Sequence, residues 1–230
     1  MKLFAHRGMH RIHTENTEAA FDEALRLGFR ALELDLVRLK DGHIVLFHDD
    51  TLFRMFQIDE RVQDLTLPEF QKYFPGLMTF QRFKEKYSSE PITINFEIKD
   101  DAETLHRVLP DLKGFAQPII SSFDWTIVNE ALFLGFEAGY LFKDLDQSEA
   151  SLFPFQSQRL HLPYRGEALQ DLKRSLEPYS SFELYFYTVN KRAHLSVLKQ
   201  LPNFKGVFTD EASLRRAPLL SAEHPPRIAG

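Results

Sequence analysis

Three carboxylates and two histidines carry the chemistry this sequence offers. In Ala31-Leu32-Glu33-Leu34-Asp35-Leu36 the leucines alternate with Glu33 and Asp35. As a strand, this run puts the leucines on one face and both carboxylates on the other, ~6.6 Å apart along the chain. The run Ile92-Thr93-Ile94-Asn95-Phe96-Glu97-Ile98-Lys99 repeats the pattern, with Thr93, Asn95, Glu97 and Lys99 on the polar face. Parallel strands are covered on both faces, so a solvated polar face is a poor account of these residues. Converging, Glu33, Asp35 and Glu97 repel one another and are costly to bury ionised. A divalent cation removes the conflict, and an all-oxygen set favours Mg²⁺ or Ca²⁺, with Mn²⁺ a further candidate, over zinc.

His6 and His48 each end a β-rich run, in His6-Arg7-Gly8 and Phe47-His48-Asp49. A histidine at a strand end suits general acid or base work near neutral pH, though a purely structural role fits either one alone. Arg7 suggests an anion, because a guanidinium matches phosphate oxygens bidentately. Gly8 would let the backbone approach a ligand. Lys99 is either a second anion contact or a partner for a neighbouring carboxylate. The other seven of the nine histidines present no comparable pattern.

Alternating strands and helices position these residues. Strands are predicted at Leu3–Arg7, Ala31–Val37, Ile44–Phe47, Ile92–Ile98, Pro118–Ser121, Glu137–Leu141, Arg159–Leu162, Leu184–Val189 and Gly206–Thr209. The first helix has Asn16 or Thr17 as its cap, an apolar stripe of Ala20, Phe21, Ala24 and Leu25, and Gly28 as its stop. Further helices are predicted over Asp101–Leu112, Asp124–Leu134, Gly166–Leu176 and Lys191–Gln200. Asp41-Gly42 between two β-rich runs signals a hairpin, so the third strand folds back antiparallel. Eight parallel strands remain, which fits an α/β fold of the TIM-type (β/α)8 barrel class. An open doubly wound sheet is disfavoured, since no Gly-rich fingerprint follows any strand. Residues 51–90 read as a small insertion after the hairpin that follows the second strand. Their aromatics form either a small core or an apolar pocket wall, with core favoured. Thr66 and Pro68 mark a helix start within them. Residues 1–216 then make a single barrel domain and 217–230 a loose tail.

Composition narrows the function classes. The 230 residues carry 28 Lys+Arg against 33 Asp+Glu, a net charge of −5, which argues against a nucleic-acid partner. Zero cysteines exclude disulfides, iron–sulfur clusters and a cysteine nucleophile. No signal-peptide pattern or membrane-length apolar run occurs, so a cytoplasmic protein without stable membrane insertion is expected.

The sequence resembles the glycerophosphodiester phosphodiesterase family. The resemblance rests on His6-Arg7-Gly8, Glu15-Asn16-Thr17 with Ala20-Phe21, Glu33-Leu34-Asp35, Lys40-Asp41-Gly42 and Phe47-His48-Asp49. It continues through Leu65-Thr66, Glu97-Ile98-Lys99, Ser121-Ser122-Phe123, His161-Leu162, Tyr187-Thr188-Val189-Asn190 and Phe208-Thr209-Asp210. It implies a barrel with a small insertion, one divalent metal on Glu33, Asp35 and Glu97, and His6 and His48 as the acid–base pair. It implies substrate contacts from Arg7, Lys99 and Tyr187, with Glu15 and Asn16 supporting them from behind. The implied reaction cleaves a small-molecule glycerophosphodiester to glycerol 3-phosphate and an alcohol, through a cyclic phosphate. Which histidine acts as acid in each step stays open. The chain departs from the family at Thr14, where Pro is frequent, at Tyr187, where Trp is frequent, and in the run Met55-Phe56-Gln57-Ile58 after Arg54. These departures bear on the leaving alcohol. Alternatives are a lysophospholipase D or sphingomyelinase D-like enzyme with a lipid substrate, and an inactive barrel that binds phosphodiesters. A glycosidase is weaker still, because Glu33 and Asp35 share one strand and cannot flank a glycosidic bond.

Overall fold

The computed structural model describes residues 1–145 and 153–215. The proposed tail from 217 lies outside them.

The strands are β1 Lys2–Ala5, β2 Ala31–Arg38, β3 Ile44–Leu46, β4 Thr93–Ile98, β5 Gln117–Ser122, β6 Glu137–Leu141, β7 Arg159–Pro163, β8 Glu183–Tyr187 and β9 Phe204–Thr209. Eight are parallel neighbours in the order β1-β2-β4-β5-β6-β7-β8-β9, and β9 pairs back onto β1, closing a barrel. As predicted from Asp41-Gly42, β3 pairs antiparallel with β2, Leu36 opposite Leu46. The first strand ends at Ala5, two residues sooner than predicted, because Arg7 and Gly8 turn out of it with φ of 53° and 76°.

Helix α1, Glu18–Arg26, starts at Thr17, whose side chain accepts from the Ala20 amide, and buries Ala20, Phe21 and Ala24. Gly8 packs against it. A Cβ at Gly8 would lie 2.7 Å from Ala20, so the bare backbone is what allows this close packing of loop on helix.

Residues 51–90 divide into two parts. Short helices α2, Phe53–Phe56, and α3, Leu67–Tyr73, surround a satellite core of Val37, Phe47, Leu52, Val62, Phe70 and Phe74. The predicted cap at Thr66 forms a capping box with Glu69, with Pro68 in the first turn. Helix α4, Phe80–Tyr87, belongs to the barrel instead: Phe83 meets Phe21 edge-on at 5.2 Å and Phe96 at 6.1 Å. The insertion is therefore shorter than 51–90, and its buried aromatics are core.

Helices α5, Ala102–Leu112, α6, Trp125–Phe133, α7, Leu169–Ser175, and α8, Arg192–Leu198, complete the fold. Strand faces sort as the alternation requires. Leu32, Leu34, Leu36, Ile94, Phe96 and Ile98 join the main core with the helices. Phe4, Ala31, Ile119, Tyr185 and Phe208 form a separate cluster, with Phe4 and Phe208 stacked at 4.7 Å. Polar residues further along the same strands lie above this plug. Among the described residues, no helix is long and apolar enough to cross a membrane.

Candidate active site

Register brings the carboxylates together. Glu33 pairs with Asn95, and Asp35 with Glu97, across adjacent strands β2 and β4. Oxygens of Glu33, Asp35 and Glu97 lie within 4.8 Å of one another. Glu33 is 2% exposed and Asp35 0%. Glu33 accepts the Arg7 backbone N–H at 2.9 Å, and Asp35 accepts the Asn16 amide at 2.9 Å. Glu33 Oε1 and Asp35 Oδ1 are buried without a hydrogen-bond partner among the described residues. Leaving such atoms unpaired costs about 1–3 kcal/mol each. Burial, reinforced by the charges of Asp35 and Glu97, pushes the Glu33 carboxyl well above its ordinary range. Burial also works against ionisation of Asp35, but Arg7 and Lys99 outweigh it and hold that carboxyl below the usual range. Orphaned oxygens, mutual repulsion and an all-oxygen donor set fit a hard divalent cation.

Two cations already partner this cluster. Lys99 Nζ lies 2.6 Å from Glu97 Oε1 and 3.7 Å from Asp35 Oδ1. Arg7 Nε lies 3.2 Å from Asp35 Oδ2, and its other arm donates to Glu15.

His6, Arg7, Glu33, His48, Glu97 and Tyr187 all line one cavity of about 180 Å³. Each histidine is gripped at Nδ1. His6 Nδ1 donates to Asp210 Oδ1 at 2.8 Å, and His48 Nδ1 to Asp49 Oδ1 at 2.6 Å. These contacts engage Nδ1 and not Nε2 of each ring. Burial pushes the His6 imidazole below its ordinary value, and the Asp210 bond offsets this only in part.

Glu15 accepts from Arg7, and Asn16 donates to Asp35. Glu15 also accepts from Arg54, at 3.1 Å to Oε2, and Arg54 Nε reaches Asp49 Oδ2 at 2.5 Å. A continuous chain of contacts thus runs from Arg7 through Glu15, Arg54 and Asp49 to His48. Tyr187 donates its hydroxyl to the Phe142 carbonyl and lines the cavity.

Several site residues have no counterpart in the chemistry read from sequence. Asp49, Arg54 and Asp210 are contacts of the predicted residues. Asn190 fixes Asp210, donating to Oδ2 at 2.6 Å. Phe123 lines the wall beside Tyr187. His161, among the seven histidines set aside, is 1% exposed and lines the cavity with Nδ1 unpartnered among the described residues. Burial, with the Arg159 charge beside it, pushes its imidazole well below the ordinary value. His10 reaches the same Asp210 oxygen as His6, at 2.7 Å.

A parallel barrel with paired histidines and clustered carboxylates at the strand ends has the layout of a barrel enzyme whose polar residues gather at one mouth. Residues 6–131, more than half of the chain, match the model of the glycerophosphoryl diester phosphodiesterase family. The chain belongs to that family. A glycerophosphodiester phosphodiesterase of Caldanaerobacter subterraneus subsp. tengcongensis is 40% identical over 96 residues, 42% of this chain and 38% of that enzyme's length. An uncharacterized Mycoplasma genitalium protein is 28% identical over 205 residues, 82% of each chain. Among solved structures, the glycerophosphodiester phosphodiesterase of Thermotoga maritima superposes with a TM-score of 0.78 at 29% identity, covering 93% of this chain and 96% of that one. An Oleispira antarctica phosphodiesterase in complex with sn-glycerol-3-phosphate shares the fold, with a TM-score of 0.78 at 22% identity over 94% of this chain and 95% of that one.

Proposed function

We propose that this protein hydrolyses glycerophosphodiesters to glycerol 3-phosphate and an alcohol, using His6 and His48 as proton carriers beside a divalent cation. The observation that carries the reading is that both histidines, Arg7 and the carboxylates Glu33 and Glu97 line one cavity, with Asp35 directly behind.

Glu33, Asp35 and Glu97 would hold Mg²⁺ or Ca²⁺, which when bound would offset phosphate charge and acidify a nearby hydroxyl. The remaining work belongs to the chain. Arg7 and Lys99 draw the phosphodiester anion to the cluster. One histidine Nε2 accepts the proton of the glycerol 2-hydroxyl as that oxygen attacks phosphorus. The other donates a proton to the departing alkoxide. Their roles exchange when water opens the cyclic phosphate. Asp210 and Asp49 hold the tautomer that leaves each Nε2 competent, as the carboxylate of a hydrolase triad does.

The human lysophospholipase D is 32% identical over 126 residues, 48% of this chain and 40% of that enzyme. A lysophospholipid substrate is a second reading. Phe123, Leu141 and Tyr187 favour it by giving the cavity an apolar wall.

Glycerophosphocholine and lysophosphatidylcholine, each assayed with Mg²⁺ and with Ca²⁺, test both readings. His6→Ala and His48→Ala should each abolish release of glycerol 3-phosphate while the protein stays folded. Full activity in both variants would discard the mechanism.

A further inference from the structure

We propose that His6, His10 and Asp210 form a second metal site, for a zinc-like ion, and that its occupation switches hydrolysis off. The switching rests on the reading of His6 as a proton carrier; the site itself does not.

The site is assembled by the barrel closure. His6 follows β1, the turn at Gly8 carries His10 back over the strand end, and Asp210 follows β9, the neighbour of β1. His6 Nδ1 and His10 Nε2 lie 2.8 and 2.7 Å from the same carboxylate oxygen. The other oxygen of Asp210 is held by Asn190. Two ring nitrogens therefore crowd one acceptor. The three ligand atoms lie within 4.8 Å of one another, and the two imidazole rings are 5.8 Å apart at 72°. This leaves the rings free to close on an ion with Zn–N bonds of about 2.0–2.1 Å. All three side chains are largely but not wholly buried, at 17%, 24% and 12% exposure, so solvent ions can enter.

Donor chemistry separates this site from the carboxylate cluster. Two imidazoles and one carboxylate favour Zn²⁺, Ni²⁺ or Cu²⁺, whereas three carboxylates favour Mg²⁺ or Ca²⁺. The imidazole nitrogens therefore set the preference of this site apart from that of the oxygen cluster. Binding at Nδ1 displaces its proton to solvent, and Nε2 takes up another, so the imidazole stays neutral. The Nε2 lone pair is then occupied. His6 can no longer accept a proton from substrate, although nothing blocks the cavity.

The test uses Mg²⁺-loaded protein and glycerophosphocholine, with Zn²⁺ added. Inhibition should be reversed by a chelator and should require at least tenfold more Zn²⁺ in His10→Ala. Co²⁺ gives a second readout, because four-coordinate Co²⁺ absorbs intensely in the visible. That absorption should persist in Glu97→Gln and vanish in His10→Ala. Equal Zn²⁺ sensitivity in wild type and His10→Ala, or absorption that requires Glu97 and not His10, overturns the site. Absorption that requires His10 while hydrolysis is unaffected keeps the site and overturns the role of His6.

Discussion

His6 and Asp210 stand 204 positions apart and meet at 2.8 Å, because the last strand of the barrel closes against the first. The contact fixes the His6 proton on Nδ1. Asp210→Asn keeps the shape but can offer its amide N–H to the ring, which favours the wrong tautomer. We expect kcat to fall by about 10²–10⁴-fold, as when a triad aspartate is neutralised, with KM little changed. A parallel rise in KM would mean that Asp210 shapes the substrate pocket instead. In NMR spectra, the His6 Nδ1 proton resonance should disappear in the variant.

Glu15 is the joint between the two halves of the site. Its burial works against ionisation, yet Arg54 and Arg7 hold its carboxyl below the ordinary value. Glu15→Gln weakens both bridges at once. It should loosen Arg7 directly and His48 through Arg54 and Asp49. A fall of about tenfold in kcat/KM, roughly 1.4 kcal/mol of transition-state stabilisation, is expected. Glu15→Gln and Arg54→Gln should be markedly non-additive, since they break one shared contact. Additive losses in the double variant would show that the chain of contacts does not act as a unit.

Cation binding should be visible in stability as well as in rate. Because Glu33 is pushed up in the folded state, the fold binds its proton more tightly than the unfolded chain does. Its contribution to cation-free stability is therefore greatest at low pH. It is lost as pH rises from the unfolded value of about 4.3 through the raised folded value. With EDTA present, the Tm of wild type should fall more steeply over that window than that of Glu33→Gln. Ca²⁺ or Mg²⁺ should raise the wild-type Tm, and rate should return with it. A Tm indifferent to both ions after exhaustive chelation would argue against the carboxylate cluster as a cation site.

Sequence alternation made the carboxylates legible, because a period of two on a covered strand leaves Glu33, Asp35 and Glu97 no solvent to face. The hairpin at Asp41-Gly42 and the cap at Thr17 were legible for equally local reasons. Contacts made by closure were not. Nothing local to Asp210 or His10 shows that β9 returns to β1, although an aspartate one residue past a predicted strand end is a signal that could be followed. The aromatic run from Phe53 to Tyr87 could not be divided from sequence either. Phe70 and Phe83 look alike in composition, yet one fills the satellite core and the other the barrel.

The position of His161 depends on a glycine one strand away. A Cβ at Gly139 would lie 2.7 Å from His161 Nε2 and 3.1 Å from the Arg159 side chain. The bare backbone of β6 at Gly139 is thus what makes room for the imidazole that lines the cavity. Gly139→Ala should destabilise the protein by about 1–3 kcal/mol through overpacking, read as a lower midpoint in urea. The buried ring must then tilt into the cavity, so KM for glycerophosphocholine should rise. His161→Ala removes the obstruction, and the Gly139→Ala/His161→Ala pair should be more stable than the sum of the single losses allows. Strict additivity would place the strain elsewhere on β6, and His161 would then have no part in shaping the floor of the site.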